Sequence, residues 1–215
     1  MNEPTSIYLI RHGETDWNVL RRFQGQSLVP LNPTGLRQAA RVARRVTGER
    51  LTALYSSDLP RAMQTAQAIA AVTGLPIVAD ARLREVDVGQ WQGHTFDEIE
   101  ALDGARLAAR RADRIHVRCP DGENQADLVA RVEAAFNAIV AAHPGERIAI
   151  VTHGGPISAI RYVIRNRASE ELLALDSYNT AVTLVRGAPG AWEIVMENDI
   201  SHLEGAEVVP ASYDR

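Results

Sequence analysis

Two short, unbroken apolar runs lie far apart in this chain, and a histidine followed by glycine stands at the end of each. The first is Ile7-Tyr8-Leu9-Ile10, leading into Arg11-His12-Gly13. The second is Ile148-Ala149-Ile150-Val151, leading through Thr152 into His153-Gly154-Gly155. Such runs predict strands buried on both faces, the pattern of a parallel sheet covered by helices. Residues at the carboxyl end of such a strand lie on the rim where open α/β sheets bind ligands. Two histidines there, one preceded by an arginine, predict an anion site and a histidine able to attack phosphorus.

The intervening sequence supplies the helices. Strands are predicted at 6–11 and 147–152. A helix is predicted at 33–48, with Pro33 near its start, Leu36, Ala39, Ala40, Ala43 and Val46 inward, and Gly48 as its stop. Leu51 to Tyr55 predicts a strand that ends in Ser56-Ser57-Asp58. Pro60 starts a helix that carries Ala62, Met63, Ala66, Ile69 and Ala70 inward and stops at Gly74. Pro76 to Ala79 predicts a third strand, and Leu83 to Gly93 a loop. Residues 95–114 predict one or two short helices, and Cys119-Pro120-Asp121-Gly122 a turn. A long helix at 123–142 places Leu128, Val129, Val132, Ala135, Phe136 and Ile139 on one face. Helix 156–164 follows a Gly-Gly-Pro turn, and Thr180 to Asn198 predicts a hairpin joined at Gly187-Ala188-Pro189-Gly190. The early β-α-β-α order predicts parallel strands with helices on both faces.

The 215 residues fit one α/β domain spanning 1–215. A formal charge of −4 argues against bulk nucleic-acid binding, and no apolar stretch is long enough to span a bilayer. The single cysteine, Cys119, excludes an intramolecular disulfide and fits a reducing compartment. The expectation is a cytoplasmic enzyme with a small phosphorylated substrate, no nucleic-acid partner and no membrane partner; a homodimer is left open.

Arg11, His12, Asn18, Arg61, Glu85 and His153 all fall at predicted strand ends, helix starts or loops. Phosphoryl transfer needs positive charge around three oxygens, an in-line nucleophile and a proton for the leaving group. Arg11 and Arg61 can clamp oxygens with two N–H groups each. His153, Asn18 and the backbone N–H of Gly154 can add further donors. A histidine nucleophile must be neutral at the attacking nitrogen, with its other nitrogen held by an acceptor. Nearby arginines disfavour the imidazolium. Glu85 has to give a proton to the leaving alkoxide and then take one from water. An arginine at a helix start, as at Arg61, opposes the macrodipole unless an anion is near.

Four segments together carry a family resemblance. They are Arg11-His12-Gly13-Glu14-Thr15; Ser56-Ser57-Asp58-Leu59-Pro60-Arg61-Ala62 with Thr65-Ala66; Leu83-Arg84-Glu85 with Gly89 and Gly93; and Thr152-His153-Gly154. In this order and spread the chain resembles the histidine phosphatase superfamily, the phosphoglycerate mutase-like proteins. The resemblance implies a three-layer α/β/α sandwich around a mostly parallel sheet with an antiparallel member. It implies phosphorylation of His12, a phosphate pocket of Arg11, Arg61 and His153, and Glu85 as proton donor. Asn18 and Gly154 match auxiliary phosphate contacts, and Gln24 and Gly25 fall in the substrate-binding segment. No metal and no other cofactor is implied. Residues 94–122 are expected to form a helical lid.

Hydrolysis and mutase chemistry share the phosphohistidine and differ in what attacks it next. Mutases of this family usually carry a tyrosine where Val88 stands, a lysine near Phe96 and a small hydroxyl residue at Gln24. These departures, and Trp91-Gln92-Gly93, resemble broad-specificity bacterial phosphatases. Phosphoglycerate mutase is the alternative, with Arg110-Arg111 as candidates for a substrate carboxylate if they face inward. A silent phosphoanion-binding protein ranks third, because both nucleophile and acid are present. Among the remaining groups, Glu14 and Asp87 are the alternatives to Glu85. His94, His116 and His143 are expected on the surface, His202 in a structural hydrogen bond, Cys119 as a packed or surface thiol, and Arg41-Arg44-Arg45 on a solvated helix face.

Overall fold

The computed structural model describes residues 3–166 and 177–205; residues 1–2, 167–176 and 206–215 of the expected 1–215 domain lie outside that set. One six-stranded sheet organises the chain. Its strands are β1 (Thr5–Arg11), β2 (Ala53–Ser56), β3 (Ile77–Ala79), β4 (Arg147–Thr152), β5 (Val182–Ala188) and β6 (Ala191–Asp199), in the order β3-β2-β4-β1-β5-β6. From β3 to β1 all neighbours are parallel. Strand β5 runs antiparallel to β1, and β6 antiparallel to β5. The mostly parallel sheet with an antiparallel member is therefore present.

Alternation along the strands divides the core in two. Ile7, Leu9, Ile148 and Ile150 face one side, where they meet α5 (Gln125–Ala142) and α6 (Gly154–Ile164) through Leu128, Val132, Phe136 and Ile160. Tyr8, Ile10, Ala149 and Val151 face the other, against α2 (Pro33–Val46) and α3 (Pro60–Thr73) through Val42, Val46, Ala66 and Ile69. Each fully buried Ile or Leu contributes roughly 2 kcal/mol of burial. This is the three-layer α/β/α sandwich. A smaller apolar cluster joins Val88, Trp91, Ile99, Leu107 and Cys119. It sits beneath α4 (Phe96–Ala112), which departs from helical geometry at Asp103 and so consists of two pieces.

Several boundaries differ from expectation for physical reasons. Helix α2 turns Leu36 (51% exposed) and Ala40 outward, not inward. Gly35 and Gln38 take the inward positions because the loop at Gly13 and Glu14 packs against them: Glu14 N donates to Gln38 Oε1 at 2.8 Å. Gly48 does not stop this helix. A 3-10 turn at Thr47–Glu49 follows, and Arg50, at φ 51°, makes the left-handed exit. Gly74, at φ 72°, does end α3. Helix α5 starts two residues later than expected, because Asn124 caps it in a reciprocal box with Asp127. Such a cap is worth about 1 kcal/mol.

Candidate active site

The carboxyl ends of β1, β2 and β4 and the N-termini of α3 and α6 converge. Register places Arg11 beside Thr152, and His12 N donates to Thr152 O at 2.9 Å. His12 and His153 consequently leave adjacent strands together, with ring centroids 5.0 Å apart. Both rings are buried.

Hydrogen bonds orient each ring. Nδ1 of His12 lies 2.7 Å from Gly13 O. A carbonyl only accepts, so Nδ1 carries the proton and Nε2 the lone pair. Arg61 Nε approaches that Nε2 at 3.3 Å. On His153, Nε2 lies 2.8 Å from Ser57 Oγ, which also accepts from Leu59 N at 3.3 Å. A Ser57 hydroxyl that donates to Nε2 leaves the His153 proton on Nδ1, which is buried with no hydrogen-bond partner among the described residues. Burial first, then the Arg61 and Arg11 guanidinium groups, hold the His12 imidazole well below the ordinary histidine range. Burial and Arg61 do the same to His153. Both rings stay neutral near pH 7.

Arg61 is fully buried at the start of α3. Its Nη1 donates to Ser27 O at 2.9 Å and its Nη2 to Gly25 O at 2.8 Å. These carbonyl dipoles answer in part the unfavourable helix-start position. Arg11 is buried and donates through Nη1 to Ser177 O. Asn18 lies on the short helix α1 (Asp16–Val19) and is set by a capping box with Thr15. Thr15 N donates to Asn18 Oδ1 at 3.0 Å, and Asn18 N donates to Thr15 Oγ1 at 3.1 Å. With its oxygen so engaged, the Asn18 side chain presents a donor amide.

Glu85 is half-buried on the loop after β3, with its carboxylate turned to the start of α6. Gly155 N donates to Oε1 and Oε2 at 3.2 and 3.3 Å, and Val86 N donates to Oε1 at 2.8 Å. A Cβ at Gly155 would stand 2.2 Å from Glu85 Oε1, so a larger residue there would push the carboxylate aside. Helix α6 begins at Gly154, two residues earlier than expected, and that brings the Gly155 N–H to the carboxylate. Gly25, at φ +49°, turns its carbonyl to Arg61, and a Cβ there would meet Val88 Cγ2 at 2.7 Å. Gln24 is buried in the same turn, its carbonyl accepting from Ser27 N at 3.0 Å.

The alternatives to Glu85 are occupied elsewhere. Glu14 Oε1 accepts from Asn32 Nδ2 at 2.9 Å, and Asn32 caps α2. Asp87 Oδ1 accepts from Gly89 N at 2.9 Å. Arg111 lies 4.2 Å from the Phe96 ring centroid, and Arg110 interacts with the buried Cys119 thiol. His116 is exposed beside Asp113, and His94 is partly exposed beside Glu98. His202 makes its hydrogen bond to Thr180 Oγ1 at 3.1 Å. Two surface expectations are corrected. His143 is half-buried between Tyr55 Oη at 2.9 Å and Glu146 Oε2 at 3.0 Å. Arg45 is not solvated with Arg41 and Arg44 but pairs with Glu49 and Asp199.

Sequence reasoning missed Ser57, Thr65 and Asn179 as partners. Thr65 Oγ1 accepts from Gly13 N at 3.0 Å, and Asn179 Nδ2 donates to His12 O at 3.0 Å. The capping role of Thr15 was missed too, although a Thr three residues before a polar residue at a helix start is a capping-box signal; the others make contacts that no local pattern announces.

Among the described residues no group of three or more His, Cys, Asp or Glu could hold a metal ion, and no helix is long and apolar enough to cross a membrane.

The chain is similar to known proteins along most of its length. A family model described as histidine phosphatase superfamily (branch 1) matches residues 7–200. Phosphoglycerate mutase-like protein 4 of Arabidopsis thaliana is 40% identical over 202 residues, covering 92% of this chain and 86% of that protein. A Proteus mirabilis protein named probable phosphoglycerate mutase GpmB is 36% identical over 202 residues, covering 92% of this chain and 94% of its own. A solved mycobacterial glucosyl-3-phosphoglycerate phosphatase, complexed with VO3, superposes with a TM-score of 0.82 at 30% identity, covering 90% of this chain and 98% of that one. With its paired buried imidazoles at adjacent strand ends and this span of likeness, the chain belongs to the histidine phosphatase superfamily.

Proposed function

We propose that the chain is a phosphomonoesterase that acts on small phosphorylated metabolites through a phosphohistidine at His12. The observation that carries this reading is the fixed imidazole: Gly13 O holds the Nδ1 proton and leaves the Nε2 lone pair beside Arg61. In the first step that lone pair bonds to phosphorus while the ester P–O bond breaks. Charge on the phosphoryl oxygens meets Arg11, Arg61, the Nδ1–H of His153, the Asn18 amide and the Gly154 N–H. Glu85 in its acid form gives its proton to the departing oxygen. In the second step water gives a proton to Glu85 as its oxygen bonds to phosphorus. The N–P bond breaks, its electron pair returns to Nε2, and inorganic phosphate leaves.

Substrate choice is assigned to the segment 94–122, which we read as a lid with its own apolar cluster around Trp91 and Ile99. Specificity in such folds lives in segments of this kind. A second reading, phosphoglycerate mutase, is favoured by the names of two relatives. Against it, Val88 is packed in that apolar cluster and offers no hydroxyl. A panel of phosphate esters, including phosphoglycerates with and without a bisphosphate primer, separates the two. Steady release of inorganic phosphate from several esters is expected. Interconversion of phosphoglycerates only in the presence of primer, without net release, would replace the phosphatase reading with the mutase one.

A further inference from the structure

We propose, resting on the reading of Glu85 as proton donor, that Arg131 locked to Glu123 positions that carboxyl for both proton transfers. Arg131 lies on α5 and Glu123 just before it, and both side chains are largely withdrawn from solvent. Nη1 of Arg131 donates to the carbonyls of Arg82 and Arg84 at 2.9 and 2.6 Å. Nη2 donates to the carbonyl of Glu85 itself at 2.8 Å. The opposite edge of the guanidinium meets Glu123, with Nε–Oε1 and Nη2–Oε2 both at 2.7 Å. Glu123 then reaches the far side of the same loop. Its Oε2 accepts from Asp87 N at 2.9 Å, and its own N donates to Asp87 O at 2.8 Å.

The backbone is thus fixed at residues 82, 84 and 85 and again at 87, on both sides of the acid. The segment from Arg84 to Val88 lies outside helix and strand, so no ladder hydrogen bonds set its course. Gln26 Nε2 adds a longer contact to Glu85 O at 3.2 Å, and Arg84 is held by Asp58. Only a planar fork of five donors can serve three carbonyls and a bidentate carboxylate at once; an ammonium cannot. A proton donor has to lie within hydrogen-bond reach of the leaving oxygen, and displacement by about 1 Å can cost on the order of a hundredfold in rate. Arg131 touches no reacting atom in this account. It acts through Glu85.

The test uses the full chain and two probe substrates, p-nitrophenyl phosphate and glycerol 2-phosphate. The aryl leaving group departs without a proton, so kcat/KM on it reports His12 and the phosphate clamp; the alkyl ester reports Glu85 as well. Arg131→Lys is expected to lower kcat/KM on the alkyl ester by about tenfold or more, and on the aryl ester by less than about threefold. The double variant Glu85→Gln with Arg131→Lys is expected to lose no more on the alkyl ester than Glu85→Gln alone, because residues acting through one group are not additive. Equal losses on both esters, or additive losses in the double variant, would overturn the proposal. If Arg131→Lys does not fold, Glu123→Gln carries the same comparison with the same outcomes. Trapping phosphate on His12 of the unaltered chain keeps the two levels apart. Without that label the phosphohistidine reading fails; with the label and a split between esters in Glu85→Gln but none in Arg131→Lys, only the role of Arg131 fails.

Discussion

Arg61 Nε lies 3.3 Å from His12 Nε2, so a fully buried cation stands at the lone pair of a neutral imidazole. The contact suppresses protonation of the ring and marks where a phosphoryl oxygen would enter between them. The same guanidinium is tethered to the carbonyls of Gly25 and Ser27, so its place is set before any anion arrives. Arg61→Ala is expected to lower kcat/KM on an aryl phosphate by about a hundredfold or more. Arg61→Lys should recover little, since an ammonium cannot keep both tethers and the Nε contact. A loss under about threefold in the alanine variant would remove Arg61 from the phosphate clamp.

Glu85→Gln keeps the shape of the acid and removes its proton. It should depress kcat/KM on alkyl phosphates by about a hundredfold while leaving aryl phosphates within severalfold. Parallel losses on both ester classes would take the proton-donor role from Glu85.

Gly155→Ala tests the seat of that carboxyl. The new methyl would lie 2.2 Å from Glu85 Oε1, so the carboxylate has to leave the start of α6. The expected result is the leaving-group selectivity of Glu85→Gln in a chain that still melts cooperatively. An alanine variant with full activity on alkyl esters would show that Glu85 works from another position.

The Ser57 hydroxyl lies 2.8 Å from His153 Nε2 and, by donating to it, would place the ring proton on Nδ1. Nitrogen-15 NMR of labelled histidine should find the Nδ1–H form in the folded chain. In Ser57→Ala that preference should weaken, and kcat/KM should fall about tenfold or more. An Nε2–H signal in the unaltered chain would reverse the donor assigned to the phosphate.

Acid should destabilise the protein before its carboxylates titrate. His12 and His153 are held well below the ordinary histidine value of 6.5, and burial lowers His202 to about 4. Below about pH 6.5 the unfolded chain takes up protons that the folded chain refuses, so stability falls as pH drops. For His202 this window closes at about pH 4. The fall in Tm between pH 6.5 and 4.5 should be smaller in His202→Asn than in the unaltered chain. Identical falls would mean that His202 is not held neutral by burial.

Local pattern made much of this legible. The apolar runs before His12 and His153 were strands because a doubly covered strand has no polar face to interrupt it. The inward face of α5 followed from helical spacing, and all six residues expected there are buried. What stayed hidden depends on the approach of remote backbones. Leu36 looked like core, but close contact of Gly35 with the Glu14 backbone rotates α2 and turns Leu36 out. Ser57, Asn179 and Arg131 were ordinary polar residues until the fold placed them beside His153, His12 and the Glu85 loop. Strand ends announce their own chemistry; the residues that fix a tautomer or steady a loop across tens of positions carry no periodic signal.

The central claim is covalent, and one measurement addresses it directly. Rapid acid-free quenching during turnover of a phosphate ester, followed by phosphorus NMR and peptide mapping, should place a phosphoryl group on Nε2 of His12. It should form and decay fast enough to account for turnover, and it should be absent in His12→Ala, which should release no phosphate. Sustained turnover with no label on His12, or with the label on another side chain, would contradict the account.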